Sequence, residues 1–303
     1  MRRISNFWLA LVLLLLCVRV STPLGNAQEI DARRPTDDTV ALRWLGTAGW
    51  EIQVGRTIIL IDPFLTRKEP DRIGGKWKTD EEAVLKAIKR ADYIFAGHSH
   101  ADHIADIPFI AKKFGSKVMG SRTTVNIALT TGVDKSQLVT IRGGENLDFK
   151  EFSVQVIESV HGVLTRNGRR RQPAFEEVTK PWSGPVLGTS FVVGDCFLYL
   201  FTFGNRKILH QSTGGFIADK VAGVRADVAL LYPMDRSDTE GILKVLQPKT
   251  VFVNHFDEWR VPFPDGLPER SLARARRFTR AVVAIDAGIE VITPSYFKPY
   301  PIP

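Results

Sequence analysis

Three imidazoles and one carboxylate fall within six residues at His98-Ser99-His100-Ala101-Asp102-His103, directly after the apolar run Tyr93-Ile94-Phe95-Ala96. The run reads as a short buried strand, and a strand running into such a loop holds its side chains rigidly. In extended backbone, residues two apart face the same way, so His98 and His100 are placed to converge on one cation. Asp102 and His103 follow where the chain turns towards a helix, and face either a second cation or the water of the first. Neutral imidazole and carboxylate are ligands for zinc and related divalent ions. The bland reading, surface histidines in a polar loop, requires half of the chain's six histidines to gather here by chance,.

The first residues carry an address rather than a fold. Arg2 and Arg3 precede the apolar run Phe7 to Val18, and Gly25-Asn26-Ala27 supplies small residues at both outer positions of a cleavage site. Residues 1–27 therefore read as a secretory signal peptide, and an exported product, periplasmic or extracellular, is expected. The apolar run is short for a bilayer span, which makes an uncleaved membrane anchor the weaker alternative. The full chain has a formal charge of +8, and it stays basic after loss of Arg2, Arg3 and Arg19. Cleavage also removes Cys17 and leaves Cys196 alone, so no intramolecular disulfide is available and stability must come from a packed core,. Residues 28–39, rich in Asp, Arg, Pro and Thr, read as a flexible lead-in, and residues 40–303 as a single domain.

Along that domain, Val40 to Trp44, Glu51 to Val54 and Thr57 to Ile61 are expected as strands, the third ending in Asp62-Pro63. Thr79 with Glu82 predicts a capping box for a helix through Arg90. Asp106 and Pro108 predict the start of another helix, stopped at Gly115. A strand at Lys117 to Met119 and a helix from Arg122 to Thr131 continue an alternation that points to an α/β layered fold. Further strands are expected at Leu138 to Ile141, Phe152 to Val160, Gly188 to Val193, Phe197 to Thr202, Lys207 to Leu209, Asp227 to Tyr232, Thr250 to Asn254 and Glu290 to Ile292. Helices are expected at Thr239 to Leu246 and Pro268 to Ala287. Arg274, Arg276, Arg277 and Arg280 read as a solvated face of the last helix. His210 reads as a hydrogen-bonding residue at a strand end and Cys196 as buried filler.

His98-Ser99-His100-Ala101-Asp102-His103 matches the HxHxDH signature of the metallo-β-lactamase-fold hydrolases. Trp44-Leu45-Gly46-Thr47-Ala48-Gly49 followed by Ile61-Asp62-Pro63-Phe64 resembles the opening of that superfamily's lactonase, phosphodiesterase and phospholipase-like branches. The resemblance spans roughly residues 40 to 293 and implies a four-layer αββα sandwich. It also implies that His161, at the end of its strand, joins His98 and His100 on a first metal. His255 would join Asp102 and His103 on a second, and Asp62 would support the site from behind. The implied cofactor is zinc, one or two ions per chain, with manganese or iron(II) as substitutes. The implied reaction is hydrolysis by a metal-bound hydroxide, with Asp102 orienting the nucleophile and taking its proton.

One element departs from the pattern. The superfamily places an aspartate between the metals in a Gly-Asp pair, whereas Leu209-His210-Gln211-Ser212-Thr213-Gly214 offers only the hydroxyls of Ser212 or Thr213. A neutral hydroxyl is a far weaker ligand than a carboxylate. Two readings remain: a two-metal hydrolase of ester-type bonds, best suited to a phosphodiester or a lactone with an anionic group, or a degenerate metal-binding protein on the same fold. Basic loops around Arg67 and around Arg169 and Arg170 are expected at the rim of the cleft. The expected partner is a small anionic or lipid-like molecule, with no nucleic acid and no membrane span after signal cleavage. The oligomeric state is not readable.

Overall fold

Strand β1 (Val40–Gly46) buries Val40, Leu42 and Trp44 on one face, and its antiparallel neighbours β2 (Gly49–Val54) and β3 (Thr57–Ile61) continue that alternation. A computed structural model describes residues 39–68, 75–166, 169–263 and 267–303. The expected signal peptide and the lead-in up to residue 38 lie outside the described residues.

After β3 the chain becomes α/β: α1 (Glu81–Ala87), β4 (Tyr93–Phe95), α2 (Ala101–Ile104), α3 (Ile107–Phe114), β5 (Lys117–Gly120), α4 (Arg122–Thr130) and β6 (Leu138–Thr140). Strands β3 to β6 run parallel and complete a seven-stranded sheet that includes β16 (Pro299–Ile302) at the edge beside β1. The second half begins with β7 (Asn146–Asp148) and β8 (Ser153–Ser159), followed by the small hairpin β9 (Leu164–Arg166) and β10 (Arg169–Arg171). Then come β11 (Cys196–Phe203), β12 (Arg206–Gln211), α5 (Ala218–Val221), β13 (Val228–Leu231), α6 (Arg236–Leu246), β14 (Thr250–Val253), α7 (Glu269–Ile285) and β15 (Glu290–Ile292). These strands form a second seven-stranded sheet, in the order β15-β14-β13-β12-β11-β8-β7.

Leu42, Trp44, Trp50, Ile52 and Phe95 of the first sheet share one apolar core with Phe197, Tyr199, Phe201, Phe252 and Leu209 of the second. Leu60, Ile94 and Val118, on the opposite face of the first sheet, pack with Val84, Ile107, Ile110 and Ile127 of α1, α3 and α4. Helices α6 and α7 contact one another, and α7 lies against β14 and β15. The layers are therefore αββα. The C-terminal ends of β3, β4, β8, β12 and β14 open along one rim, where the chain places its polar residues. Just behind that rim Trp50 Nε1 donates to Asn254 Oδ1 (2.9 Å), and Asn254 Nδ2 donates to the Gln211 carbonyl (2.8 Å). The Tyr199 hydroxyl also crosses between sheets, donating to the Ala96 carbonyl at 2.6 Å.

Several sequence expectations need correction. Asp80, not Thr79, caps α1, accepting from Ala83 N at 3.0 Å, and the helix ends at Ala87 because Ile88 is extended. Asp106 makes no side-chain cap on α3; its carboxylate instead accepts from Leu65 N (2.7 Å), Thr66 N (2.8 Å) and the Thr66 hydroxyl (2.5 Å), pinning the loop that follows Asp62. Residues 188–193 form no strand: a single 3₁₀ turn at Gly188–Ser190 is closed by Ser190 Oγ accepting from Leu187 N, and the segment then lines a cleft. Strands β7, β9, β10 and β16 were not anticipated, since three or four residues give too little alternation to read, and Pro299 and Pro301 suit only an edge strand. Among the described residues no helix is long and apolar enough to cross a membrane.

Replacing Asn254 with Leu keeps the volume but leaves the buried Trp50 N–H and Gln211 carbonyl unpaired, and is expected to cost roughly 2–4 kcal/mol. The measurement is urea unfolding, with the midpoint lowered and the slope unchanged.

Candidate metal centre

The strand ends bring six ligating side chains into two groups. His98, His100 and His161 form one, and Asp102, His103 and His255 the other; in each, one ligand atom per residue lies within 4.8 Å of the others. His98 and His100 follow β4, His100 in extended backbone, His161 follows β8, and His255 follows β14. Asp102 and His103 come one turn later, inside α2. The groups are adjacent, for the rings of His98 and His103 are 3.9 Å apart between centroids.

Hydrogen bonds decide which nitrogen faces the centre. His98 Nδ1 lies 3.2 Å from Ser212 Oγ, His103 Nδ1 lies 2.9 Å from Asp62 Oδ2, and His161 Nδ1 donates to the Gly162 carbonyl at 2.7 Å. The Nε2 atom of each is left to point inwards, the usual arrangement of a metal-bound histidine. His98 Nε2 is 3.1 Å from His100 Nδ1, and Asp102 Oδ2 is 3.5 Å from His103 Nε2 and 3.2 Å from His255 Nε2. Ligands about 2.0–2.1 Å from a tetrahedral zinc ion are separated by about 3.3 Å, so the donor set fits a cation in each group.

The electrostatics fit as well. Burial, reinforced by the neighbouring imidazoles, holds His98 well below the usual histidine range and lowers His161 to about 4, which keeps both neutral with a lone pair to offer,. Burial alone would raise Asp102, but His103 and His255 override it, and the carboxylate stays ionised. His103 is the exception: burial opposes its charge, yet Asp102 and Asp62 together lift it to about 10. Between two carboxylates the metal-free ring is an imidazolium, and a cation in the second group must displace its proton.

Asp62 is the buried support. Its backbone is left-handed (φ 44°), and its carboxylate accepts from Gly97 N (2.6 Å), Ser212 Oγ (2.5 Å) and His103 Nδ1 (2.9 Å). Gly97 is required here, because a Cβ would collide with the Ser212 side chain and sit 2.9 Å from Asp62 Oδ2. Ser212, expected in the bridging place, therefore does something else. Its hydroxyl is drawn to Asp62 and lies behind His98 and His103, against their Nδ1 atoms. Thr213 borders the cleft and its hydroxyl accepts from Gly162 N at 3.2 Å. Among the described residues no carboxylate stands between the two groups.

A second buried network went unread in the sequence. His255 is left-handed (φ 50°), as is Thr47 (φ 48°), and His255 N donates to the Thr47 carbonyl at 3.0 Å. Thr47 N donates to Asp257 Oδ1 (2.9 Å), the Tyr296 hydroxyl donates to Asp257 Oδ2 (2.8 Å), and Arg67 Nη1 pairs with the same oxygen at 2.8 Å. Arg67 also donates to the carbonyls of Val261 (2.7 Å) and Glu258 (2.5 Å) and lies over the ring of Phe263. Its side chain is 1% exposed, so Arg67 is not at the substrate rim; it is a clamp on the loop that carries His255. The side chains of Arg169 and Arg170 lie outside the described residues. Asp257, two residues past a strand-end histidine, was the available signal.

His210 Nε2 donates to the Ala48 carbonyl (2.8 Å) away from the centre, and Cys196 is buried, as expected of both. Five of the six ligands, His100, Asp102, His103, His161 and His255, border a cleft of about 740 Å³, with His98 buried behind them. Phe191, Val192, Val193, Tyr232, Trp259 and Arg274 also line it. Arg274 is thus not simply part of a solvated helix face: its guanidinium lies 4.8 Å over the ring of Tyr232.

Two facing mixed sheets between helices, with a histidine-rich rim at the strand ends, define the metallo-β-lactamase fold. The sequence profile of a Beta-lactamase superfamily domain matches residues 57–199. A UPF0173 metal-dependent hydrolase of Heliobacterium modesticaldum is 27% identical over 231 residues, covering 72% of this chain and 83% of the relative. One from Listeria welshimeri is 28% identical over 253 residues, covering 80% and 95%. Among solved structures, Igni18, a metallo hydrolase from the archaeon Ignicoccus hospitalis, superposes with a TM-score of 0.60 at 18% identity, over 88% of this chain and 99% of that one. The metallo-β-lactamase fold protein YhfI from Bacillus subtilis gives 0.53 at 14% identity, over 88% and 100%. The chain thus carries the metallo-β-lactamase fold and is similar in sequence to a Beta-lactamase superfamily domain and to metal-dependent hydrolases.

Asp257→Asn keeps the shape but weakens the ion pair with Arg67, and is expected to lower affinity at the second group by about 10–100-fold while sparing the first. Zinc titration against a competing chelator would then show one tight and one weak equivalent. Because His103 carries a proton in the metal-free state, filling the second group at pH 7–8 should release it. Calorimetry in buffers of different ionisation enthalpy reads that proton directly.

Proposed function

We propose that this chain is an exported zinc hydrolase of ester-type bonds, acting on a small phosphodiester or lactone that carries an anionic group. The observation that supports this most directly is the pair of three-ligand groups side by side at an open cleft. The first offers three nitrogens and the second two nitrogens and a carboxylate, a borderline donor set suited to zinc and tolerant of manganese or iron(II). A divalent cation held there supplies a Lewis acid that acidifies water and polarises the oxygen of the electrophile.

The chain's own residues supply the rest. Asp102 is ionised and reaches the cleft, so its carboxylate orients the attacking water and takes up its proton,. Asp62 and Ser212 fix the ring of His103, and the Gly162 carbonyl fixes that of His161. Phe191, Val192 and Val193 give the cleft apolar lining for a substrate. Export rests on Arg2, Arg3 and the apolar run up to Val18. A degenerate metal-binding protein is the second reading, favoured by Ser212 turning its hydroxyl away from the place a bridging ligand would take.

Protein purified without chelator is expected to hold about two zinc ions per chain, and to hydrolyse bis(p-nitrophenyl) phosphate or an acyl-homoserine lactone. His100→Ala should lower the rate by about 10²-fold or more while the fold is kept. Two ions bound with no hydrolysis of either substrate would overturn the ester reading and favour the degenerate one.

A further inference from the structure

Helix α7 carries a cation, Arg274, that faces the cleft. Arg270 pairs with Glu258 at 3.3 Å and Arg276 with Glu269, but Arg274, half-buried between them, has no ion pair among the described residues. It borders the cleft, stacked 4.8 Å over Tyr232, and Tyr232 stands edge-on to His255 with 5.5 Å between ring centres. Those two short steps keep the guanidinium and a metal-ligating ring within reach of one small molecule. The carboxylates on that side are already taken: Asp102 by His103 and His255, Asp257 by Arg67, and Glu258 by Arg270. A guanidinium stacked on an aromatic face is partly stripped of water, yet keeps its in-plane N–H fork free for a bidentate oxyanion.

We infer that Arg274 is the anchor for a second anionic group of the substrate, a carboxylate or phosphate separated by a short spacer from the bond cleaved at the metal centre. Tyr232 holds the guanidinium in place, and Arg274 is a specificity residue that touches no reacting atom. The inference rests on the hydrolase reading above only for its use of the metal-centre end of the substrate. It narrows the substrate class to molecules with two polar ends and a short apolar middle, which Phe191 and Trp259 are placed to cover.

The test is binding, so it does not depend on turnover. The zinc-loaded full chain is titrated calorimetrically with α,ω-dicarboxylates from succinate to suberate, with monocarboxylates of equal length, and with the matching phosphonocarboxylates. At one spacer length the doubly charged probe is expected to bind about tenfold more tightly than its monocarboxylate. Arg274→Gln should abolish that advantage while leaving monocarboxylate affinity and zinc content unchanged, and Arg274→Lys should restore part of it. A stronger gain with the phosphonate end identifies phosphate as the anchored group, and a stronger gain with the second carboxylate identifies a carboxylate. No advantage at any length, or one that survives Arg274→Gln, would overturn the inference. An anchored probe on a chain that hydrolyses no ester would overturn only the proposed reaction.

Discussion

A carboxylate sealed from water has to be satisfied completely, and Asp62 is the place where the fold meets that demand. At its strand end Asp62 gathers a backbone N–H from the β4 loop, a hydroxyl from the end of β12 and an imidazole from α2. Three segments distant in sequence are thereby tied to one point, at a separation set by hydrogen-bond lengths. Removing any donor would leave buried charge exposed to low dielectric, which is far costlier than losing an ordinary contact. The left-handed backbone at Asp62 is maintained by the same interactions, in keeping with strain concentrated where function needs it.

The second group is held from the opposite sheet by a comparable device. The Asp257 carboxylate engages Arg67, Tyr296 and the Thr47 amide, and so fixes the residue whose carbonyl receives His255 N–H. The strained backbones of Thr47, Arg67 and His255 all belong to this cluster. The two metal groups thus share one support, Asp62 on the first sheet, which holds His103 directly and backs His98 through Ser212, and Asp257 on the second sheet adds another at His255. Their spacing depends on sheet-to-sheet packing, and Trp50, Asn254 and Tyr199 tie that packing just behind the rim. With Ser212 recruited by Asp62, no carboxylate among the described residues stands between the groups.

Much of this architecture is legible in the chain. The HxHxDH run after a four-residue apolar segment is dense enough to imply metal binding, and the histidines at strand ends, His161 and His255, fall where the layered fold brings strand ends together. The alternation of short apolar strands with capped helices implied an α/β layered fold, and the resemblance to the metallo-β-lactamase-fold hydrolases implied its four αββα layers. Loops were the weak point. Charge in a loop reads the same whether it faces water or a buried partner, so Arg67 looked like a rim residue and Arg274 like surface. Residues 188–193 looked like a strand, because apolar content alone does not distinguish a ladder from the wall of a cleft.

The sequence by itself determined the ligand types, the extended spacing that pairs His98 with His100, and the fold class, because local periodicity and residue chemistry act over a few residues. Only the tertiary structure decided which nitrogen of each ring faces the centre, where the Ser212 hydroxyl goes, that Arg67 is sealed against Asp257, and that Arg274 overlooks the cleft. Apart from the adjacent Gly162 carbonyl that orients His161, those outcomes depend on partners between 41 and 190 residues apart, whose meeting is set by sheet packing and by the need to satisfy every buried charge,.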